Sequence, residues 1–143
     1  MQFNDDGYII NMRKHGESSL ILTVLTREHG KVTGYVKNCL HKRNLGIYQL
    51  GNRLQINAYS RVDENMLSLK AELLEPCAVN FISHAGKLAA LSSLCELCNA
   101  AMPELSPLDR FFYYIESFFN LISEDNWIAH YCFFEFFLLD NLG

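Results

Sequence analysis

The chain has 143 residues, of which 50% are hydrophobic and 20% are charged, a composition typical of a globular protein and not of a disordered chain. Five cysteines without regular spacing favour free thiols in a reducing compartment over a disulfide framework. The first residues, MQFNDDGYII, carry acids where a secretion signal has basic residues, and no apolar run reaches the roughly 18 residues that span a bilayer. We therefore expect a soluble, cytoplasmic protein.

The charge is unevenly distributed along the chain, whose formal net charge is −4. Residues 1–75 carry ten Lys and Arg against eight Asp and Glu, whereas residues 76–143 carry two against eight. Within the first part, residues 27–61 contain seven cations and a single acid, Glu28. Because a locally positive surface attracts polyanions, this segment favours a nucleic-acid partner in spite of the overall negative charge.

The first half of the chain has the pattern of a small antiparallel barrel. Alternating apolar positions and β-branched residues predict five strands, at residues 7–15, 20–26, 31–37, 53–59 and 66–74. The last of these is ambiguous, because its periodicity also fits a short helix. Residues 27–30 form a predicted turn, in which Gly30 supplies a positive φ. Five short strands with glycine-containing turns predict an OB-type barrel.

The second half has the pattern of helices. Glu75-Pro76 marks the change, because the residue before a proline is disfavoured in a helix. Apolar residues at helical spacing predict helices at 81–101, 108–123 and 126–142. Pro103 ends the first of these, and Pro107 opens the second at its first helical position. The predicted fold class is α+β, with an OB-type barrel at residues 1–78 and an α-helical domain at 79–143.

Twelve aromatic residues lie among the 27 residues from Phe111 to Phe137. A helix that is apolar on all sides must be buried on several of them. The simpler interpretation is a helical core, and the alternative is that part of this core is missing from the chain or is supplied by a partner. We expect the helical part to aggregate unless its aromatic faces are covered.

Lys31, Thr33, Tyr35 and Lys37 occupy alternate positions of one predicted strand, so their side chains share a face. Cations bind phosphates, and a tyrosine ring stacks on any base with about 1–3 kcal/mol, so the face suits a single strand of nucleic acid. The following loop, residues 37–46, adds His41, Lys42 and Arg43. The alternative is a solvated strand face with one exposed tyrosine.

The chain offers no arrangement that predicts catalysis. Cys95 and Cys98 form a CxxC, but the pair lies inside a predicted helix and has no second ligand pair for zinc. Two small residues packed on one helical face explain it more simply. A thiol oxidoreductase would instead require a thiolate of lowered pKa at one of these cysteines. No nucleophile motif or phosphate loop is present, and the histidines show no metal-ligand spacing, so we predict no catalytic residue, metal or cofactor.

Three segments resemble one known family. The segment HGESSLILTVLTREHGKVTGYVK (15–37) resembles the N-terminal hallmark of the RecO family of bacterial recombination mediators. The segments LKAELL (69–74) and FEFFLLDNLG (134–143) are similar to that family's barrel ending and to its Phe-Glu helix, and YQLGN (48–52) resembles its Leu-Gln-Pro segment with a leucine in place of the proline. The resemblance extends over essentially the whole chain.

The resemblance implies an OB-fold domain packed on a helical domain, without catalytic turnover. It also implies binding of single- and double-stranded DNA, annealing of complementary strands, and association with RecR and the single-strand-binding protein SSB during loading of RecA. A protein of this kind would be associated with the bacterial nucleoid. The predicted DNA contacts are Lys14, Arg27, Lys31, Tyr35, Lys37, Lys42, Arg43, Arg53 and Arg61.

The family's surface for SSB lies on the helical domain and combines an apolar pocket with cations. The corresponding candidates in this chain are Lys87, Arg110, Phe111 and Tyr114. Two departures from the family pattern are notable. Lys37-Asn38 replaces its usual Lys-Gly, and RecO-like chains continue past the Leu-Gly motif, often through a cysteine cluster that can hold zinc. We therefore expect a shortened member, and the rival hypothesis is an interaction module that kept the fold and lost DNA binding.

Overall fold

A computed structural model describes residues 1–60 and 65–142. The chain has five strands: β1 (Gln2–His15), β2 (Ser19–Thr26), β3 (Gly30–Val36), β4 (Arg53–Tyr59) and β5 (Leu67–Glu75). They form a closed barrel in the order β1-β2-β3-β5-β4, with β4 paired back to β1. Helices follow the barrel, which confirms the predicted OB-type barrel with a helical second part. The ambiguous fifth segment is a strand.

The strand β1 is longer than predicted and contains a β-bulge. It has 14 residues and begins at Gln2 instead of Gly7. The sequence did not predict its first residues, because Asn4, Asp5 and Asp6 have low strand propensity. The bulge lies between Ile9 and Asn11. It shifts the alternation, so that Ile9 faces the barrel interior before the bulge and Met12 faces it after the bulge.

Two apolar clusters hold the molecule together. One fills the barrel with aliphatic side chains such as Leu22, Val24 and Ile56. The other lies between the barrel and the helices, and Tyr8 of β1 belongs to it. The Tyr8 ring stacks on Phe119 with a centroid distance of 4.0 Å and an interplanar angle of 7°. Because the two halves share this cluster, the division into domains at residue 78 stays a prediction.

The helices are α1 (Val79–Ile82), α2 (Ala85–Ala101), α3 (Phe111–Asn120) and α4 (Trp127–Leu142). The single helix predicted at 81–101 is divided, because His84 is extended and its Nδ1 accepts the Lys87 backbone N–H at 3.1 Å as a helix cap. The helix predicted from 108 begins only at Phe111, since Arg110 adopts φ 61°. Pro107 therefore lies outside the helix, and that part of the prediction is wrong.

The last helix, α4, buries one face and exposes an apolar second face. Phe134 and Leu138 are buried in the shared cluster. In contrast, Phe136 is 71% exposed and Leu139 is 73% exposed. In the part of the chain that the structure describes, no helix has the length and apolar character needed to cross a membrane.

Candidate nucleic-acid interface

The outer face of β1, β2 and β3 consists of cross-strand rows of side chains. Arg13 lies opposite Ile21, and Ile21 lies opposite Tyr35. Residues paired in this way project from the same face of a sheet. The neighbouring rows contain mainly polar side chains, namely Asn11, Thr23 and Thr33 on one side and His15 and Ser19 on the other. The face is thus polar, with Tyr35 as its aromatic member.

A groove of about 350 Å³ lies on this face. We call it the Tyr35 groove, and its lining residues are His15, Ile21, Tyr35, Asn65, Met66 and Ser68. The Tyr35 hydroxyl donates to Ser19 Oγ at 3.1 Å, and the ring meets His15 edge-on at a centroid distance of 5.3 Å. These contacts hold the ring in place at the groove while leaving it half-buried, so a base could stack on it.

The turn between β1 and β2 is tied to the loop that follows β3. Ser18 Oγ donates to Asn38 Oδ1 at 2.9 Å, and the Asn38 backbone N–H donates to Ser19 Oγ at 3.0 Å. Asn38 adopts φ 51°, which asparagine tolerates better than most residues. These bonds fix the backbone just after β3, where Lys37 follows the groove residue Tyr35 by two positions.

Exposed cations surround this end of the barrel. Lys42 and Arg43 lie on a short 3-10 turn, which Asn44 connects to the preceding loop by a 3.1 Å bond from its Nδ2 to the Cys39 carbonyl. Within residues 1–60 and 65–142, no ion pair involves the exposed cations Arg13, Lys14, Lys37, Lys42 and Arg43.

Sequence reasoning did not include Arg13 among the candidate contacts. The alternation of Asn11, Arg13 and His15 in the predicted first strand was a usable signal for one polar face. Its position in one cross-strand row with Ile21 and Tyr35, however, depends on the strand register after the bulge. That register could not be read from the strand alone.

Lys31 shares the outer face of β3 but is covered. Its Nζ donates to the Asn99 carbonyl at 2.8 Å and lies 4.0 Å from Glu104, and the side chain is only 12% exposed. Glu104 also accepts a 2.6 Å bond from Thr33 Oγ1. The predicted face with a tyrosine between two cations is therefore open only at its Tyr35–Lys37 end, and Lys31 is not in a position to bind DNA.

Arg27 and Arg53 are engaged in ion pairs with acids of the chain. Both bind Asp6, with Arg53 Nη2 at 2.6 Å and Arg27 Nε at 3.2 Å from its carboxylate oxygens. Arg27 also binds Glu116 of α3 at 2.7 Å and lies over the Phe112 ring. Burial acts to raise the pKa of Asp6, but the two arginines outweigh it and lower that pKa below 3.8. These arginines connect the barrel to the helices, and Arg61 lies outside the described residues.

The predicted partner surface on the helices is not assembled as expected. Phe111 is 1% exposed, so it cannot anchor a partner. Lys87 lies in the first turn of α2, whereas Arg110 directly precedes α3. Tyr114 lines a groove of about 290 Å³ on α3 and α4, together with Tyr113, Ser117, Leu121, His130 and Phe133.

The CxxC cysteines belong to the core. Cys95 is 2% exposed and Cys98 is 0% exposed. Burial raises the pKa of Cys95 to about 12 and that of Cys98 further above its ordinary value. A thiol oxidoreductase requires the opposite shift, so the packing interpretation holds. No group of three or more possible metal-ligating side chains occurs in the described part of the chain.

Comparison with known proteins places the chain in a family. The profile described as "Recombination protein O N terminal" matches residues 1–77, and "Recombination protein O C terminal" matches residues 83–143. The chain belongs to the RecO family. Three proteins named DNA repair protein RecO each align with the whole of this chain. They come from Rhodospirillum centenum (32% identical), Ruegeria sp. (31%) and Wolbachia pipientis (30%). The chain spans 57–60% of the length of these RecO relatives.

Proposed function

We propose that this RecO-family chain acts in DNA repair by binding single-stranded DNA at the Tyr35 groove and its surrounding cations. The observation that carries the proposal is a half-buried tyrosine in a groove at the end of the barrel where exposed cations lie, none of which forms an ion pair with another described residue. The cations are Arg13, Lys37, Lys42 and Arg43, together with Lys14, which pairs with the inward-facing Leu20 but is exposed near the end of β1. The family membership and the names of the relatives agree with this role.

The chemistry requires no acid, base or metal. Cations neutralise the phosphates, which lets two polyanionic strands approach, and stacking on Tyr35 holds bases unpaired but accessible. This supports annealing of complementary strands and weaker, backbone-directed binding of duplex DNA. We further propose that the chain acts with RecR and SSB and assists the loading of RecA on SSB-coated DNA at the bacterial nucleoid.

The test is fluorescence anisotropy of a labelled single-stranded oligonucleotide at several salt concentrations. Five phosphate contacts to a single strand give a slope of log K against log salt of about −3.5. The variant Tyr35→Ala/Lys37→Ala is expected to bind more weakly and to lower the slope by about 0.7, the share of one cation. The matched control is Tyr113→Ala/Lys87→Ala, which removes the same side chains from the helical part.

The control is expected to bind like the wild type. Absence of binding at low salt, or an equal loss in both variants, would contradict the assignment of DNA to this end of the barrel. Tyr35→Ala alone should weaken single-strand binding more than duplex binding, because stacked duplex bases cannot reach the ring.

A second candidate function is a protein-interaction module that has lost DNA binding. The exposed apolar face of α4 favours it, since Phe136 and Leu139 are more than two-thirds exposed, at 71% and 73%. A flat salt response with intact binding of RecR or SSB would support this function over the first.

A further inference from the structure

A single cross-strand row connects the Tyr35 groove to a second aromatic position on the barrel. Ser68 of β5 pairs with Tyr35 of β3 in parallel and with Tyr59 of β4 in antiparallel register. Residues paired across neighbouring strands share a face, so all three side chains lie on the outside of the barrel. Adjacent strands are about 4.8 Å apart, which puts Tyr35 and Tyr59 on strands about 10 Å apart.

Tyr59 lines a second groove of about 450 Å³, which we call the Tyr59 groove. Its lining residues are Met1, Gln2, Asn57, Tyr59, Ser60 and Lys70. Lys70 Nζ lies 5.9 Å from the centre of the Tyr59 ring, close enough for a cation–π contact. Lys70 is exposed, and no carboxylate in the part of the chain that the structure describes forms an ion pair with it.

The Tyr59 groove offers the groups that recognise a nucleotide. An aromatic ring can stack on a base, a neighbouring ammonium can bind a phosphate, and the amides of Gln2 and Asn57 can bond to base edges. Asn57 keeps capacity for this, because its only side-chain bond in the described structure is a 2.6 Å donation from Nδ2 to Asn4 Oδ1. Further along β5, the exposed Glu72 shares this face and would repel a phosphate.

We propose that the Tyr59 groove is a second subsite for single-stranded nucleic acid, which continues the strand from the Tyr35 groove across β5. The inference rests on the proposed function of the Tyr35 groove and extends it to a path with two stacking positions. Ser68 lies between the two tyrosines in this row, and its side chain is small. The path ends at Lys70, before Glu72.

Because the proposed path crosses both grooves, we expect the affinity for single-stranded DNA to depend on oligonucleotide length. OB folds cover about 4–16 nucleotides, so an oligonucleotide of about 5 nucleotides should occupy one groove and one of about 12 should occupy both. The variant Tyr59→Leu/Lys70→Gln is expected to weaken binding of the longer oligonucleotide at least about five-fold, the effect of losing one stacked base. Its effect on the shorter one should stay within about two-fold. Tyr59→Phe/Lys70→Arg keeps ring and charge and should bind like the wild type.

Photocross-linking of the wild-type chain gives a readout that does not depend on variant folding. An oligonucleotide of about 12 nucleotides with 5-iodouracil at successive positions is irradiated, and tryptic peptides are identified by mass spectrometry. The peptide at residues 54–61 contains Tyr59, and the peptide at 32–37 contains Tyr35. We expect cross-links to both peptides, at iodouracil positions a few nucleotides apart.

The outcomes separate the two proposals. If the longer oligonucleotide binds and cross-links only the 32–37 peptide, and the Tyr59→Leu/Lys70→Gln variant binds it normally, the second subsite is refuted and the Tyr35 groove stands. If the wild-type chain binds neither oligonucleotide at low salt, the proposed function fails and the second subsite fails with it.

Discussion

Arg27 and Glu116 form a 2.7 Å ion pair across the junction between the barrel and α3. Arg27 lies just after β2, and its guanidinium also reaches Asp6 of β1 and lies over the Phe112 ring of α3. Asp6 in turn binds Arg53 of β4. The strands β1 and β4, the residue after β2 and the helix α3 are therefore connected through one small charged cluster, which we call the Asp6 cluster.

The Asp6 cluster predicts a loss of stability in acid. The folded-state pKa of Asp6 is lowered, so the carboxylate stabilises the fold above its unfolded pKa of about 3.9, and this contribution is lost as the pH falls through the folded value. We expect Asp6→Asn to lower the free energy of unfolding at pH 7 by on the order of 1 kcal/mol, since Arg27 is partly exposed and screened. Urea denaturation from pH 7 to pH 3 measures the difference.

The control for this experiment is Asp109→Asn, because Asp109 is exposed and makes no ion pair within the described residues. The difference between wild type and Asp6→Asn should shrink towards pH 3, while the control should match the wild type throughout. A difference that stays constant with pH would mean that Asp6 acts through its shape and hydrogen bonds and not through its charge.

We expect the buried side-chain amide of Asn52 to contribute strongly to stability. Its side chain is 1% exposed, accepts the Ala78 backbone N–H at 2.9 Å and donates to the carbonyls of Gly46 and Ile47 at 2.9 and 3.0 Å. Asn52→Ala removes the acceptor of the buried Ala78 N–H and one donor to each of two partly covered carbonyls, and should cost about 1–3 kcal/mol. Asn57→Ala, which removes one exposed amide bond, should cost less than about 1 kcal/mol. Urea midpoints at unchanged slope give both values.

We expect one cysteine of the folded chain to be alkylated much faster than the other four. Cys132 is exposed, whereas Cys39, Cys77, Cys95 and Cys98 are buried. With burial raising the pKa of Cys95 from 9.0 to about 12, its thiolate fraction falls on the order of a thousandfold. Iodoacetamide at pH 8 should therefore modify one thiol of the folded chain quickly, identified by mass spectrometry as Cys132. Rapid modification of Cys95 would instead reopen the thiol oxidoreductase hypothesis.

The local hairpin could be predicted from sequence, whereas the covering of its outer face could not. Alternation along β3 and a glycine with positive φ identified the strand and its turn, and Gly30 indeed adopts φ 70°. Lys31 was misjudged because its partners, Asn99 and Glu104, are about 70 residues away in the chain. A strand period reports which side chains share a face, but not whether another segment lies on that face.

The aromatic helices illustrate a second limit. In α4, WIAHYCFFEFFLLDNL, apolar residues point in several directions, so periodicity does not identify the buried face. In α3 the buried residues do follow a helical period, and they are Phe111, Phe112, Ile115, Phe118 and Phe119. Phe111 was expected at a surface because it follows Arg110, but the period of α3 places it among the buried residues, where Phe134 and Phe137 of α4 pack near it, while Tyr113 is 65% exposed.

Phe134 and Phe136 lie on different faces of α4, so we expect their substitutions to change stability by very different amounts. Phe134 is fully buried, with its ring 5.7 Å from that of Tyr131, so Phe134→Ala should cost about 3–5 kcal/mol of stability. Phe136 is 71% exposed, so Phe136→Ser should change stability by less than about 0.5 kcal/mol and reduce self-association, because it interrupts the apolar face. Thermal unfolding and light scattering measure the two quantities on the same samples. If Phe136→Ser unfolded the chain as readily as Phe134→Ala, the second face of α4 would be part of the core of a folded assembly and not a free surface.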